Sequence, residues 1–501
     1  MMVSDAPRPY FVFLAKLASG IAIFFAFFSL SLTSIDPDFW WHIRVGRDIF
    51  ASGSAPQIDV YTHTMSGYQW VDHEWLFDAG LWALYDAFGF ALLAFLFASF
   101  AFFPFLIWIV RARSLPSLCI LLALALGVIR FAGVRPQILS FVFFFTLFEI
   151  LRTRFEGTVH AHERARKYAY FGVPILFMLW ANVHGGFAAG IALWLSFFVA
   201  GVMGRFTQGI PFFPRFSDIF VFFLSVIATL ATPYGIGLHK EIVRVLVSSD
   251  TARLIAEWQS PLFSGNTVFF LLIATYLFFL FRYLRAYPLR VAAPSVLFFA
   301  LFLKTARMAL FFFITAVPFF EYGKRFLRNE FEKAHGGALR ASERTYVRNV
   351  TAACIIGSIV WLSYAGLPRE PSFFSNLFAV RKAAEYPEDA LRIAGDEIAE
   401  RGGTLFNSYE WGGYILWHAP DIPVFIDGRM PHWRDARGFS AFEEYMSMLS
   451  GPDEAREEIL TKRNIGVALV SPSEIPLISF LRRRGWMEKF SDNDAVVFVR
   501  Q

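Results

Sequence analysis

Long apolar runs separated by short polar segments fill the chain up to about residue 366. A helix that spans a bilayer needs roughly 20 mostly apolar residues. On that rule, spans are expected near 10–33, 89–110, 115–131, 136–151, 168–182, 187–204, 218–233, 267–285, 291–304, 308–322 and 349–366. Beyond about Leu367 the apolar runs shorten to strand length and charges return. That pattern predicts a helix near 376–401, strands near 403–408, 413–417 and 423–427, and a helix near 438–462. A strand at 465–470, a helix at 474–484 and strands at 486–490 and 494–500 complete it. The expected fold is therefore an α-helical polytopic membrane domain over residues 1–366, with about 11 transmembrane helices, followed by a small C-terminal α/β domain over 367–501.

Composition supports the membrane reading. Of 501 residues, 56% are hydrophobic and only 17% charged, with 62 Phe, so a soluble chain of this length would leave far too much apolar surface in water. The formal charge of +5 does not indicate a nucleic-acid partner, because the basic residues sit in short clusters between apolar runs. With the N-terminus in the cytoplasm, Arg111 and Arg113, the segment 152–167, Arg205, Arg282, Arg285, Arg290 and the segment 324–348 all fall on the cytoplasmic side. The acidic segment 34–75, the segment 232–266 and the C-terminal domain are then extracytoplasmic. Cys119 and Cys354 both lie in apolar runs, which excludes a disulfide framework and a cysteine zinc site. The first apolar stretch is long enough to span and has no small-residue cleavage site after it, so it is expected to be an anchor rather than a cleaved signal.

The segment 34–75 carries the densest chemistry. Pro37 disfavours helix for the residue before it, so the first span should end there and leave Asp36 and Asp38 close together at the membrane surface. Two such carboxylates can act as a general base on a hydroxyl, or hold a divalent cation such as Mg or Mn through oxygen ligands. At the other end, Val71–Trp75 offers His73 and Glu74. The residue four after His73 is Phe77, so this is not a zinc-protease helix, and the pair is assigned to positioning an acceptor or a leaving group. Trp40, Trp41, Trp70 and Trp75 are interleaved with these acids. Their rings can stack on the apolar face of a sugar, although Trp41 and Trp75 also suit an interfacial aromatic belt.

A second group stands out by its placement. Arg130, Arg135, His184, Lys304 and Arg307 lie at the expected outer ends of helices, within RFAGVRPQ, WANVHGGF and KTARM. Cations there run against the charge asymmetry and are costly near hydrocarbon unless they meet an anion. Basic groups gathered at one membrane face, with Asn182 beside them and Gly185 and Gly186 allowing close backbone approach, suit a lipid phosphate or diphosphate. The 257–261 stretch EWQSP lies in a segment that reads equally as a lid or as an interfacial helix. In the tail, NSYEWGGYILW and VFIDGRM carry turn signals, and Arg429 is placed to point back at the membrane site.

With these residues in hand, the chain resembles the GT-C superfamily of membrane glycosyltransferases. Asp36-Pro37-Asp38 is similar to the acidic motif that members carry just after their first span, and Asp38 matches the acid of the Pro-Asp-Glu form. The chain departs from that form at Phe39, where a Glu would follow. It also resembles an uncharacterised bacterial branch with DPDxWWH, WVDHEW, RPQ, NxHGG, WGGY and DGR patterns. The resemblance implies an enzyme of the bacterial inner membrane that moves a sugar from a polyprenyl-phosphate donor to a lipid, glycan or protein acceptor on the outer face. It implies Asp38 as general base with Asp36 as partner, and inversion at the anomeric carbon. The alternatives are an oligosaccharide ligase using a diphosphate-linked donor, and a non-catalytic lipid-carrier transporter or flippase.

Overall fold

A computed structural model describes residues 9–156, 168–208, 215–247, 256–263, 265–334, 341–366 and 386–501. The helices before the tail are α1 (Pro9–Thr33), α2 (Phe39–Ser52), α3 (Trp75–Arg111), α4 (Leu115–Val128), α5 (Pro136–Glu156), α6 (Val173–Val183) and α7 (Phe187–Gln208). They continue as α8 (Phe216–Ala228), α9 (Ile236–Val247), α10 (Thr267–Tyr283), α11 (Leu289–Lys304), α12 (Ala309–Ala334) and α13 (Ala341–Gly366). The tail adds α14 (Glu388–Arg401), α15 (Gly412–His418), α16 (Ala441–Ser450), α17 (Asp453–Lys462) and α18 (Ile475–Arg483). Its strands are β1 (Thr404–Asn407), β2 (Ile465–Val470), β3 (Met487–Ser491) and β4 (Val496–Val499).

Among the described residues, six helical stretches are long and apolar enough to cross a bilayer: Tyr10–Thr33, Trp75–Arg111, Phe187–Phe206, Thr267–Ala286, Ala306–Ala334 and Val347–Tyr364. Three further apolar helices, Leu115–Phe131, Val173–Val183 and Phe216–Ala228, are shorter. The chain is a multi-pass membrane protein. Every expected span coincides with a helix, although several helices fall short of a bilayer's thickness by themselves.

The chain folds into two compact units. One comprises Met1–Leu32, Ala94–Thr232 and Ala252–Arg369, the other Thr33–Leu93, Pro233–Thr251 and Glu370–Gln501. The first unit is helical, and aromatic rings fill much of its interior. Tyr276 stacks between Phe299 and Phe319 at centroid distances of 4.2 and 4.3 Å, and donates its hydroxyl to Ser295. Flat rings can interleave where helices approach closely, which is one use for so many phenylalanines.

In the second unit the sheet order is β1-β2-β4-β3, with β1 and β2 parallel and the other pairs antiparallel. The inner strands IGVALV and VVFV are almost wholly buried, as strands covered on both faces require. Four expectations for this region are corrected. Residues 39–52, expected as loop, form α2. Residues 413–417 belong to helix α15, because a short apolar run carries no periodicity to separate strand from buried helix. Residues 423–427 form no strand of the sheet; Val424 makes one parallel bridge to Thr62. The expected helix at 438–462 is broken into α16 and α17 at Gly451-Pro452, where proline cannot continue a helix. The helix expected from 376 is described only from Glu388, and residues 376–385 lie outside the described residues.

Segment 58–64 joins the tail through backbone. His63 N–H donates to Val424 O at 3.1 Å, Val424 N–H to Tyr61 O at 3.1 Å, and Thr64 Oγ1 to Phe425 O at 2.6 Å. Arg429 locks this junction. Its Nε and Nη2 donate to the two Asp427 carboxylate oxygens at 2.9 and 2.5 Å, and its Nη1 lies 3.1 Å from Asp59 Oδ1. The rings of Tyr61, Trp70 and Trp433 stand 4.8, 4.6 and 5.3 Å from the guanidinium carbon. Both Asp59 and Asp427 are fully buried. Burial, with the Asp427 charge, holds the Asp59 carboxyl above its usual range, although the Arg429 charge and the Thr62 hydroxyl pull the other way. Removing one partner of a buried ion pair strands the other. Arg429→Met is therefore expected to destabilise the second unit by about 3–5 kcal/mol. Arg429→Lys should rescue little, because an ammonium cannot grip Asp427 with two parallel bonds. Hydrogen exchange of the tail strands in the two variants checks this; native-like protection in Arg429→Met would refute it.

Candidate active site

In the second unit, Asp36 and Asp38 occupy different positions. Asp36 Oδ1 accepts the backbone N–H of Asp38 at 2.8 Å, and Asp36 O accepts from Phe39 N–H, so Asp36 shapes the turn that starts α2. Asp38 is the N-cap residue of α2 without capping through its side chain. Instead its Oδ1 accepts from Trp41 Nε1 at 2.9 Å. Both carboxylates are half-buried. Phe39 has a structural use: its ring is buried against Trp40, Tyr85 and Phe90.

The tail closes on this turn. A Cβ at Gly428 would overlap Asp38 Oδ1, and one at Gly413 would fall 2.8 Å from Pro37 O. Neither glycine has a positive φ. They are glycines because a backbone lies where any side chain would strike the DPD turn. Tyr409 joins them, with its hydroxyl 3.5 Å from Gly428 O. Burial holds the Tyr409 phenol well above its usual range, and Asp38, Asp427 and Asp36 reinforce this, so it stays protonated as a donor. Sequence reasoning does not single out Tyr409 and Gly428 as site residues; the NSYEWGGY and DGR motifs that contain them are the available signal.

His73 and Glu74 belong to a neighbouring buried network. His42 Nδ1 lies 2.6 Å from Asp78 Oδ1, and its Nε2 lies 3.9 Å from Glu74 Oε2. Glu74 Oε1 lies 3.6 Å from His73 Nε2. Asp72 accepts the Glu74 backbone N–H at 3.1 Å through Oδ1. From α9, Glu241 reaches His432 at 2.8 Å and Arg244 at 2.6 Å. Burial would raise the Glu241 carboxyl, but His432, Arg244 and His73 outweigh it and hold it below its usual range. Trp40 is buried in the packing of the tail, edge-on to Tyr414, Tyr386 and His418. Trp41 lies with its ring centroid 3.6 Å from that of His42. Arg429 is the buried clasp described above. As for a metal, no group of three or more His, Cys, Asp or Glu among the described residues is arranged to hold an ion. Asp36 and Asp38 alone do not make a self-sufficient centre, and each already accepts a hydrogen bond.

In the first unit, Arg135 Nη1 pairs with Glu257 Oε1 at 2.7 Å. The Arg307 guanidinium lies 5.1 Å from the Trp258 ring centroid, and that of Arg130 lies 5.1 Å from Phe269. Lys304 is exposed at the end of α11. His184 is buried, and its Nδ1 receives the Gly186 N–H at 3.0 Å and meets the Ser140 hydroxyl at 2.7 Å. Trp180 Nε1 donates to that same Ser140 oxygen at 2.6 Å. Nδ1 therefore acts as an acceptor, and Nε2 carries the ring proton as a donor. Asn182 is tied to Met178 O and Ala231 O at 2.8 and 2.9 Å. Its amide protons hold the local backbone.

The Asp72 carboxyl is pushed well above its usual range, first by burial and then by the Asp78 carboxylate. A folded-state pKa above the unfolded one stabilises at low pH, and that contribution is lost as pH rises above the unfolded value of about 3.9. Asn at this position caps the α3 start equally well and never ionises. Asp72→Asn is therefore expected to gain stability relative to wild type as pH is raised from 5 to 8. Thermal denaturation at both pH values checks this; a variant that loses ground at pH 8 would overturn it.

No family model matches the sequence, and no curated protein matches it at the level of sequence. Solved structures do match in fold. The archaeal oligosaccharyltransferase AglB from Archaeoglobus fulgidus, in complex with an inhibitory peptide and a dolichol-phosphate, superposes with a TM-score of 0.58 at 12% identity, over 92% of this chain and 69% of that one. The apo form of the Archaeoglobus fulgidus oligosaccharyltransferase gives 0.55 at 13% identity, over 93% and 70%. ArnT from Cupriavidus metallidurans bound to undecaprenyl phosphate gives 0.49 at 15% identity, over 98% of both chains. The likeness of this chain to AglB, along nearly its whole length, is one of architecture: the two share a fold.

Proposed function

We propose that the chain is an integral-membrane glycosyltransferase that moves a sugar from a polyprenyl-phosphate-linked donor to an acceptor on the outer face of the membrane. The observation that carries this reading is the state of Asp38. Its carboxylate is half-buried, aimed by an indole N–H and backed by the Gly428 backbone, while its neighbour Asp36 is spent on the turn. A carboxylate so oriented suits general-base work on a hydroxyl.

In this proposal Asp38 takes the acceptor's proton as its oxygen attacks the anomeric carbon. The bond from that carbon to the phosphate oxygen breaks, the carrier leaves as a phosphate monoester, and the configuration inverts. Arg130, Arg135, Lys304 and Arg307 stabilise the charge that develops on the phosphate, with His184 Nε2–H as a neutral donor. His73, Glu74 and Arg429 act as positioning residues through the buried networks that hold the 34–75 segment. A second reading, an oligosaccharide ligase with a diphosphate-linked donor, is supported by the fold shared with an oligosaccharyltransferase. The acceptor class (lipid, glycan or protein) is left to the assay.

Protein reconstituted in lipid is incubated with labelled polyprenyl-phosphate and polyprenyl-diphosphate sugars and candidate acceptors, and carrier release is followed. Asp38→Asn is expected to lower turnover by about 10²–10⁴-fold, the usual contribution of a general base, with the fold intact. Wild-type turnover in that variant would sink the assignment. Gly428→Ala keeps every carboxylate but displaces that of Asp38, and an error of about 1 Å in position can cost about 10²-fold. Its kcat should fall with donor binding unchanged. Release only from diphosphate donors would select the ligase. Running the assay with EDTA tests a divalent cation, Mg or Mn, on Asp36 and Asp38: loss on chelation would place one there.

A further inference from the structure

In the first unit, the carboxylate of Glu257 stands among Arg135, Arg307 and Arg130. Glu257 lies on a short helical turn, Ala256–Trp258, whose backbone is stitched to the KTARM segment. Thr305 Oγ1 donates to Glu257 O at 3.0 Å, Ala306 N–H to Gln259 O at 2.9 Å, and Ser260 Oγ to Leu303 O at 2.7 Å. The root of the side chain is therefore fixed. The carboxylate itself remains 32% exposed and Arg135 21% exposed, so solvent and solutes reach the pair. Burial would raise the Glu257 carboxyl, but Arg135, Arg307 and Arg130 together outweigh it and hold it below its usual range. Arg135 pairs with the carboxylate directly, and the charges of Arg307 and Arg130 act on it as well. Arg130 and Arg307 have aromatic rings against them, so their N–H edges are the part left to grip an anion.

Resting on the proposed transferase, we propose that Glu257 is a resident counter-ion that occupies the phosphate position and competes with the carrier for Arg135. The charge of the ligand changes during the reaction. A sugar phosphodiester carries one negative charge, whereas the released monoester carries about 1.5 to 2 at neutral pH. A cluster of cations with no internal anion would therefore hold product more tightly than donor and slow its release. A tethered carboxylate competes at high effective concentration and loosens the product. Glu257 is on this account a positioning residue for Arg135 and the cause of product release.

The probes are polyprenyl phosphate in nanodiscs and inorganic phosphate, with affinity measured for wild type, Glu257→Gln, Glu257→Asp and Arg135→Gln. Glu257→Gln is expected to bind polyprenyl phosphate about tenfold more tightly, near the scale of losing one like charge about 4 Å away in water. Its steady-state kcat should fall by a larger factor than its single-turnover rate. Glu257→Asp should stay close to wild type in affinity, and Arg135→Gln should bind more weakly. Unchanged or weaker binding in Glu257→Gln would overturn the inference while leaving the transferase reading intact. The inference also falls if only inorganic phosphate binds more tightly, since the cluster would then be a small-anion site. Wild type that neither binds polyprenyl phosphate nor releases it from any donor would overturn both.

Discussion

The second unit depends on one buried charge. Three stretches far apart in sequence, 33–93, 233–251 and 370–501, make up this body. Backbone bonds join segment 58–64 to 424–425, but two acids of that junction, Asp59 and Asp427, sit in full burial. Without Arg429 each would have to be neutralised or expelled. With it, the acids become the means of assembly: the guanidinium reaches both, and three aromatic rings shield the triad from water. Such an arrangement adds little net stability compared with an apolar plug of equal volume, but it tolerates very few alternative registers. Asp427 thus fixes the position of Gly428, and Gly428 lies against Asp38. The aim of the candidate base is set by an ion triad built from the tail and the first polar segment.

Much of this is legible in the sequence, and the illegible parts share a cause. Pro37 marks the end of α1, and the acids after it are where the reactive geometry appears. The inner strands and α18 follow from local pattern alone. The remainder requires knowledge of a distant partner. The glycines of WGGY and DGR read as turn signals, yet their reason is Pro37 and Asp38, hundreds of residues earlier. Residues 423–427 look like a strand because they are apolar and extended, but their backbone pairs with Thr62 rather than with the sheet. Arg429 reads as a cation pointing back at the membrane site, yet the acid two residues before it takes two of its hydrogen bonds, which the spacing in DGR could have suggested. Helix α2 is hidden by its own composition: tryptophans and charges suggest a loop, while its buried face of Phe39, Trp40, Ile43 and Val45 supplies an amphipathic helix.

Burial separates two kinds of polar group in the second unit. In the second unit, Arg429 is shared by two carboxylates, His42 sits against Asp78, and Glu241 against His432 and Arg244. These groups are compensated within the fold, and their role is satisfied by holding segments together. Asp38 takes its hydrogen bond from a neutral indole and sits half-exposed at a helix start. A carboxylate aimed by a fixed donor and reachable from solvent is what general-base chemistry requires.

Among the described residues around Glu257 in the first unit, guanidiniums outnumber carboxylates. Cations at the ends of apolar helices are expensive, and a fold that needed only to neutralise Glu257 would use one of them. The surplus makes sense if a second anion arrives, and the single carboxylate makes sense if that anion must also leave. A site designed for tight binding alone would have no reason to keep Glu257. A site that turns over gains from a charge that loosens the released product, because where release limits turnover the hold on product sets kcat.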